Sequence, residues 1–188
     1  KPPLPPPEPS MDDPAVVAEK EAEIAALRQQ GDYREAFLLA VEVENALQPG
    51  DIKSRISQQV EELRSLKGQV GSVRLAISDL LSGDRFLAKQ ATLKLITAGE
   101  AGCTFLLQAL SDADPDQQQA IVDILSRYED PRISDPIMAI YRELPAEEQR
   151  QRTWRLAAVR AWALRSPARR LATVQELSDP TQAGQRAE

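Results

Sequence analysis

From residue 14 onward apolar side chains recur three and four positions apart, the spacing that lines one face of an α-helix. Asp13-Pro14 reads as a helix start, with the acid as cap and proline at the first helical position. Val17, Ile24 and Leu27 then predict a helix to about Gln30, broken by Gly31-Asp32. A second helix is predicted from Tyr33 to about Leu47, ahead of Pro49-Gly50. A third starts at Asp51, with Ile52, Ile56, Val60, Leu63 and Leu66 on one face. The stripe continues through Val70, Val73, Ile77 and Leu80 at near-heptad spacing, a pattern also found in coiled-coil dimers. Gly68 and Gly71 interrupt it, and each glycine costs a helix interior about 1 kcal/mol relative to alanine. We therefore expect a turn at Gly68–Gly71 and a new helix from Ser72 to Leu81.

The next part of the chain repeats itself. Asp84 recurs as Asp114, thirty residues on, and Leu106 recurs as Ile137, thirty-one on. Each unit reads as two short helices. In the first, Leu87, Ala88, Ala91 and Leu95 precede Gly99, and Cys103, Leu106, Leu107 and Leu110 follow it. In the second, Asp114-Pro115 opens a helix carrying Ile121, Ile124, Leu125 and Tyr128. After Asp130-Pro131 turns the chain, Asp135-Pro136 starts a helix with Ile137, Ile140, Tyr141 and Leu144. A third, longer unit is expected as one helix from Pro145 to about Arg165, broken at Ser166-Pro167, then a last helix with Leu171, Val174 and Leu177. A period near thirty residues built from helix pairs predicts a stacked repeat architecture.

Two resemblances follow from these residues. Gly31-Asp32-Tyr33, Glu35-Ala36 and Ala46-Leu47 ahead of Pro49 make residues 14–47 resemble a tetratricopeptide repeat hairpin, in which the tyrosine and alanine let two helices pack closely. Ile24 and Lys20 depart from that pattern in the first helix. The acidic caps, the alanine and leucine stripe, and the Leu-Ser-Asp links at 110–112 and 177–179 make residues 84–179 resemble HEAT or bacterial HEAT-like repeats. Gln117 to Gln119 stand where that family commonly has an apolar residue and an arginine. The resemblance implies an all-α, right-handed superhelix or solenoid of about ten helices that presents a helical face to other macromolecules. The expected organisation is a proline-rich linker over 1–13, a hairpin and linker helix over 14–71, repeats over 72–179 and a polar tail over 180–188.

Composition narrows the function. Six of the fourteen prolines fall in the first nine residues, so that segment is expected as an extended spacer to something upstream, with ligand for a proline-binding domain as the other reading. The chain starts at Lys1 rather than Met, which leads us to expect a processed chain or a piece of a longer one. A membrane anchor ahead of the spacer would place it in the bacterial periplasm or cell envelope. The scarcity of lysine, absent after Lys94, suggests an arginine-rich, GC-rich bacterial source. There is no histidine, which removes Ser–His and Cys–His catalysis and every His-containing metal site. Asp112, Asp114, Asp116 and Asp123 mimic part of a calcium loop, but Gln117 and Asp123 stand where glycine and a bidentate glutamate are needed. Cys103, on an apolar stripe, reads as a packed thiol. No phosphate-binding loop or hydrolase elbow occurs, so neither enzyme activity nor a cofactor is expected.

Charge is placed unevenly within the net −6: Glu8 to Glu62 holds thirteen acids and five bases, while Gln149 to Gln175 holds seven arginines and no acid. Solvated helix faces account for much of this. The functional reading is that Arg150, Trp154, Arg155, Trp162, Arg165, Arg169 and Arg170 form a docking surface for an acidic protein, arginine and tryptophan being frequent binding hot spots. Nucleic acid is the rival partner; against it, the chain is acidic and these arginines spread around their helix. Trp154, Ala158, Ala161 and Trp162 instead make a face that can bury. Self-association through the near-heptad stripe or through head-to-tail charge pairing is the remaining alternative. No apolar run is long enough to span a bilayer.

Overall fold

The computed structural model describes residues 13–164. The described residues are all helical or linking, with no strand: α1 (Pro14–Gln30), α2 (Tyr33–Ala46), α3 (Asp51–Leu81), α4 (Arg85–Thr97), α5 (Gly99–Asp112), α6 (Pro115–Leu125), a 3-10 turn (Pro131–Ile133), α7 (Ser134–Glu143), α8 (Ala146–Gln149) and α9 (Arg152–Ala163). The last predicted helix, with Leu171, Val174 and Leu177, and the proline-rich segment lie outside the described residues. The chain divides into two compact units at Leu75/Ala76, inside α3.

In the first unit α1 and α2 form a hairpin. Asp13 caps α1, accepting from the Ala15 N–H at 2.9 Å. Gly31 closes it in the left-handed region, φ 81°, which a glycine adopts without the Cβ penalty. The Asp32 N–H then reaches the Leu27 carbonyl at 3.0 Å. Val17, Ile24, Tyr33, Ala36, Ala40 and Val43 are buried, joined by Ile56, Val60 and Leu63 from the first part of α3. Polar contacts hold α3 to the hairpin: Arg55 forks onto Glu21 at 2.9 Å, Arg28 meets Glu62 at 3.1 Å, and Lys53 donates to the Leu47 carbonyl at 3.0 Å. The Lys67 ammonium sits 4.1 Å from the centre of the Phe37 ring.

The expected turn at Gly68–Gly71 is not formed; α3 runs unbroken through both glycines. Neither has positive φ, and a Cβ on either would meet nothing within 4 Å. Burial of Val60, Leu63 and Leu66 before them and of Val73, Ala76 and Leu80 after them outweighs the weak helix preference of two residues.

In the second unit α4 and α5 pair, α6 lies against both, and α9 lies against α6 and α7. Asp84 caps α4 through the Phe86 and Leu87 N–H groups at 2.7 and 3.1 Å. Asp114 caps α6 in a reciprocal box: its carboxylate accepts from the Gln117 N–H at 2.9 Å, and Gln117 Oε1 accepts from the Asp114 N–H at 3.1 Å. Gln117, out of place for the resembled family, thus has a local purpose. Ala91, Leu95, Cys103, Leu106, Ile121, Ile124, Leu125, Ile133 and Ile137 form the core. Leu87, which shares a broad face with Ala91 and Leu95 in the sequence pattern, is 37% exposed as the third residue of α4. The single helix expected from Pro145 to Arg165 is two. Gln149 Nε2 turns back onto the Tyr141 and Leu144 carbonyls at 3.0 and 2.9 Å, ending α8, and extended Gln151 (ψ 139°) restarts the chain as α9.

Candidate functional site

α9 presents two apolar faces. Trp154, Ala157, Ala158 and Ala161 are buried, and Ser134 of α7 donates to the Ala161 carbonyl at 2.7 Å. The opposite face carries Leu156 and Val159, 53% and 64% exposed, with Ala163 one turn on. A helix that is apolar on its solvent side buries no surface there. Arg155 and Arg160 flank this stripe, and no acid lies in α9. Arg160 is partly committed, donating to the Ser126 carbonyl at the end of α6 at 2.6 Å, where a cation also offsets the helix dipole. Between α6 and α9 this leaves an open groove of about 440 Å³ lined by Asp123, Ser126, Arg127, Thr153, Leu156 and Arg160. Arg127 pairs with Asp123 at 3.2 Å along its rim.

Of the residues predicted as a docking surface, four lie among the described residues, and these do not share one exposed face. Trp154 is 2% exposed and supports α9 from beneath. Trp162 is half-buried. Arg150 is exposed, sits before α9 and pairs with Glu147 at 3.2 Å. Arg155 is exposed beside Leu156. Arg165, Arg169 and Arg170 lie outside the described residues. Leu156 and Val159 were missed. Their signal was available: at 100° per residue both fall opposite Trp154, Ala158 and Ala161.

A second cluster joins α5 to the link after α6. Arg132 grips the Asp130 carboxylate, the closest contact 2.6 Å, and reaches Thr104 Oγ1 at 3.2 Å. Asp130 also caps the 3-10 turn, accepting from the Arg132 N–H at 2.9 Å. The Cys103 thiol lies within the field of the Asp130 carboxylate. Burial, with the Asp130 charge adding to it, pushes that thiol up to about 12, so it stays protonated and unreactive near neutrality. Burial tends to raise Asp130, but hydrogen bonds and charge from Arg132 hold it below the usual carboxylate range. Tyr128, raised by burial, donates to the Leu95 carbonyl of α4. Gly102 makes the approach possible, since a Cβ there would lie 2.5 Å from both the Leu95 oxygen and the Tyr128 hydroxyl.

Asp114 is spent on its cap, and among the described residues no three acidic, cysteine or histidine side chains gather around a metal-sized position. No described helix is long and apolar enough to cross a membrane. No family model, curated protein or solved structure matches the chain.

Proposed function

We propose that the chain is a non-catalytic protein-interaction module whose docking face is the solvent side of α9. The observation that carries this reading is the pair Leu156 and Val159, apolar and more than half exposed, between Arg155 and Arg160. Such a face suits a partner offering apolar side chains among carboxylates. The α6–α9 groove gives that partner a depression to enter. The order of contacts, α4 on α6 and α6 on α9, supports a HEAT-like stack in which these three helices form one layer and α9 its last described member. The reading as a tetratricopeptide-like hairpin draws on buried Tyr33 and Ala36 at the α1–α2 packing. Nucleic acid is the weaker partner, because Arg150 and Arg160 already have acceptors and a phosphate track needs several uncommitted cations.

A photo-crosslinking residue at Val159 is expected to trap a protein through an acid-rich segment, whereas one at exposed Gln29 of α1 is not. Arg155→Glu with Val159→Asp should weaken capture of that protein by roughly tenfold or more, about 1.4 kcal/mol, with helix content unchanged. Equal capture by the wild type and the double variant overturns the reading.

A further inference from the structure

A second exposed apolar face lies on α4. Phe86 and Leu93 are 69% and 63% exposed, the former the barest large apolar side chain among the described residues. They are seven positions apart, about 10 Å along the helix, with Gln90 between them on the same side. Lys94 borders this stripe on one flank, and Lys89 with Arg85 on the other. α4 holds no acid at all, so its solvent face is apolar and uniformly cationic.

The complement to that face is present in the same sequence. Residues 13–47 carry eight acids and three bases. Several of the acids are occupied: Glu21 by Arg55, Glu23 by Lys20, and Glu44 by the Ser57 hydroxyl at 2.5 Å. Glu35 and Glu42 are exposed along one flank of Leu38, itself 51% exposed, and Arg34 is exposed on its other flank. One helix face is thus a leucine with two glutamates and one arginine around it, and the other is a phenylalanine and a leucine bordered by two lysines and an arginine.

We propose that the α4 face of one copy docks on the α2 face of a second copy. The contact is heterologous, so it propagates head to tail unless it closes into a ring. With three large apolar residues and a few charge pairs it is small, hence weak and strongly dependent on salt. It involves none of the α9 residues and stands apart from the function proposed above.

Sedimentation velocity of the full chain tests this. At about 0.1 M salt, where the screening length is about 10 Å, the sedimentation coefficient should rise with protein concentration. At about 1 M salt, with screening near 3 Å, the rise should vanish. Lys89→Glu with Lys94→Glu makes both faces acidic, and Glu35→Lys with Glu42→Lys makes both basic. Each variant alone should sediment as a monomer at low salt, and an equimolar mixture should associate again. All four sites are at the surface, and circular dichroism of each variant checks its fold. Restored association in the mixture cannot come from a misfolded variant. A wild type that stays monomeric at every concentration, variants that associate as the wild type does, or a mixture that stays monomeric overturns the proposal. So does a monomeric wild type that co-sediments with phosphatidylserine vesicles, which would give α4 to an anionic lipid surface.

Discussion

Gly102 is the most closely packed of the described glycines in the second unit. An added methyl there would press on the Leu95 backbone carbonyl, which cannot swing away, and on the Tyr128 hydroxyl bonded to it. Gly102→Ala is expected to cost about 1–3 kcal/mol by overpacking, read from urea denaturation. Tyr128→Phe should cost less, about 1 kcal/mol, because the Leu95 carbonyl still accepts the Ala98 N–H at 3.1 Å and is not orphaned. The neighbouring thiol sets a pH dependence. Unfolding lowers Cys103 from about 12 to its free value, so above about pH 8.5 the unfolded chain binds fewer protons than the folded one. This group's contribution is full below pH 8.5 and is lost as pH rises toward 12, with a slope of at most about 1.4 kcal/mol per pH unit. Cys103→Ala should flatten the alkaline limb, measured as stability against pH. Asp130 acts oppositely: its stabilisation holds above about pH 3.9 and is lost as pH falls through its lowered value.

Elements were readable where a local device fixes them. Asp13-Pro14, Gly31 and Asp84 mark helix ends by chemistry confined to a few neighbouring residues, and the structure uses all three. The Asp114–Gln117 box was also legible, as an acid with glutamine three residues on, yet comparison with a family pattern made the glutamine look like a departure. Two boundaries were not legible, for opposite reasons. Gly68 and Gly71 look like breakers, but the burial on either side of them is tertiary and overrides propensity. The break at Arg150–Gln151 has no glycine or proline; it depends on Gln149 finding the carbonyls of α7, which no local pattern reveals. The continuity of α3 makes a signed prediction. Gly68→Ala and Gly71→Ala should each stabilise by up to about 1 kcal/mol in thermal unfolding, because both sites are helical and open. A turn with positive φ at either glycine would reverse the sign. Asp114→Ala should cost about 1 kcal/mol through loss of the cap.

At the scale of the molecule, the all-α class was legible in a composition rich in helix formers with few aromatics, together with apolar residues three and four apart, and the described residues are helical with no strand. Candidate surfaces were harder to read. Composition drew attention to tryptophan and arginine, whereas burial put Trp154 inside and left ordinary leucine and valine outside. Which face of an apolar helix is covered depends on its neighbours, and among the described elements α6, α7 and α8 pack against α9. Charge was legible as a sum but not as a pattern: the same acids that give the chain its −6 are in part ion-paired and in part exposed beside Leu38.

Cys103 also serves as a clock. It is the chain's sole cysteine, fully buried in α5 and held protonated. A thiol reagent can therefore mark a molecule only after the second unit has opened around that helix. With reagent in excess the labelling rate reports the opening rate, and with reagent limiting it reports the open population. The unmutated protein thus carries its own single-site probe of local unfolding, against which every substitution in α4 to α7 can be timed.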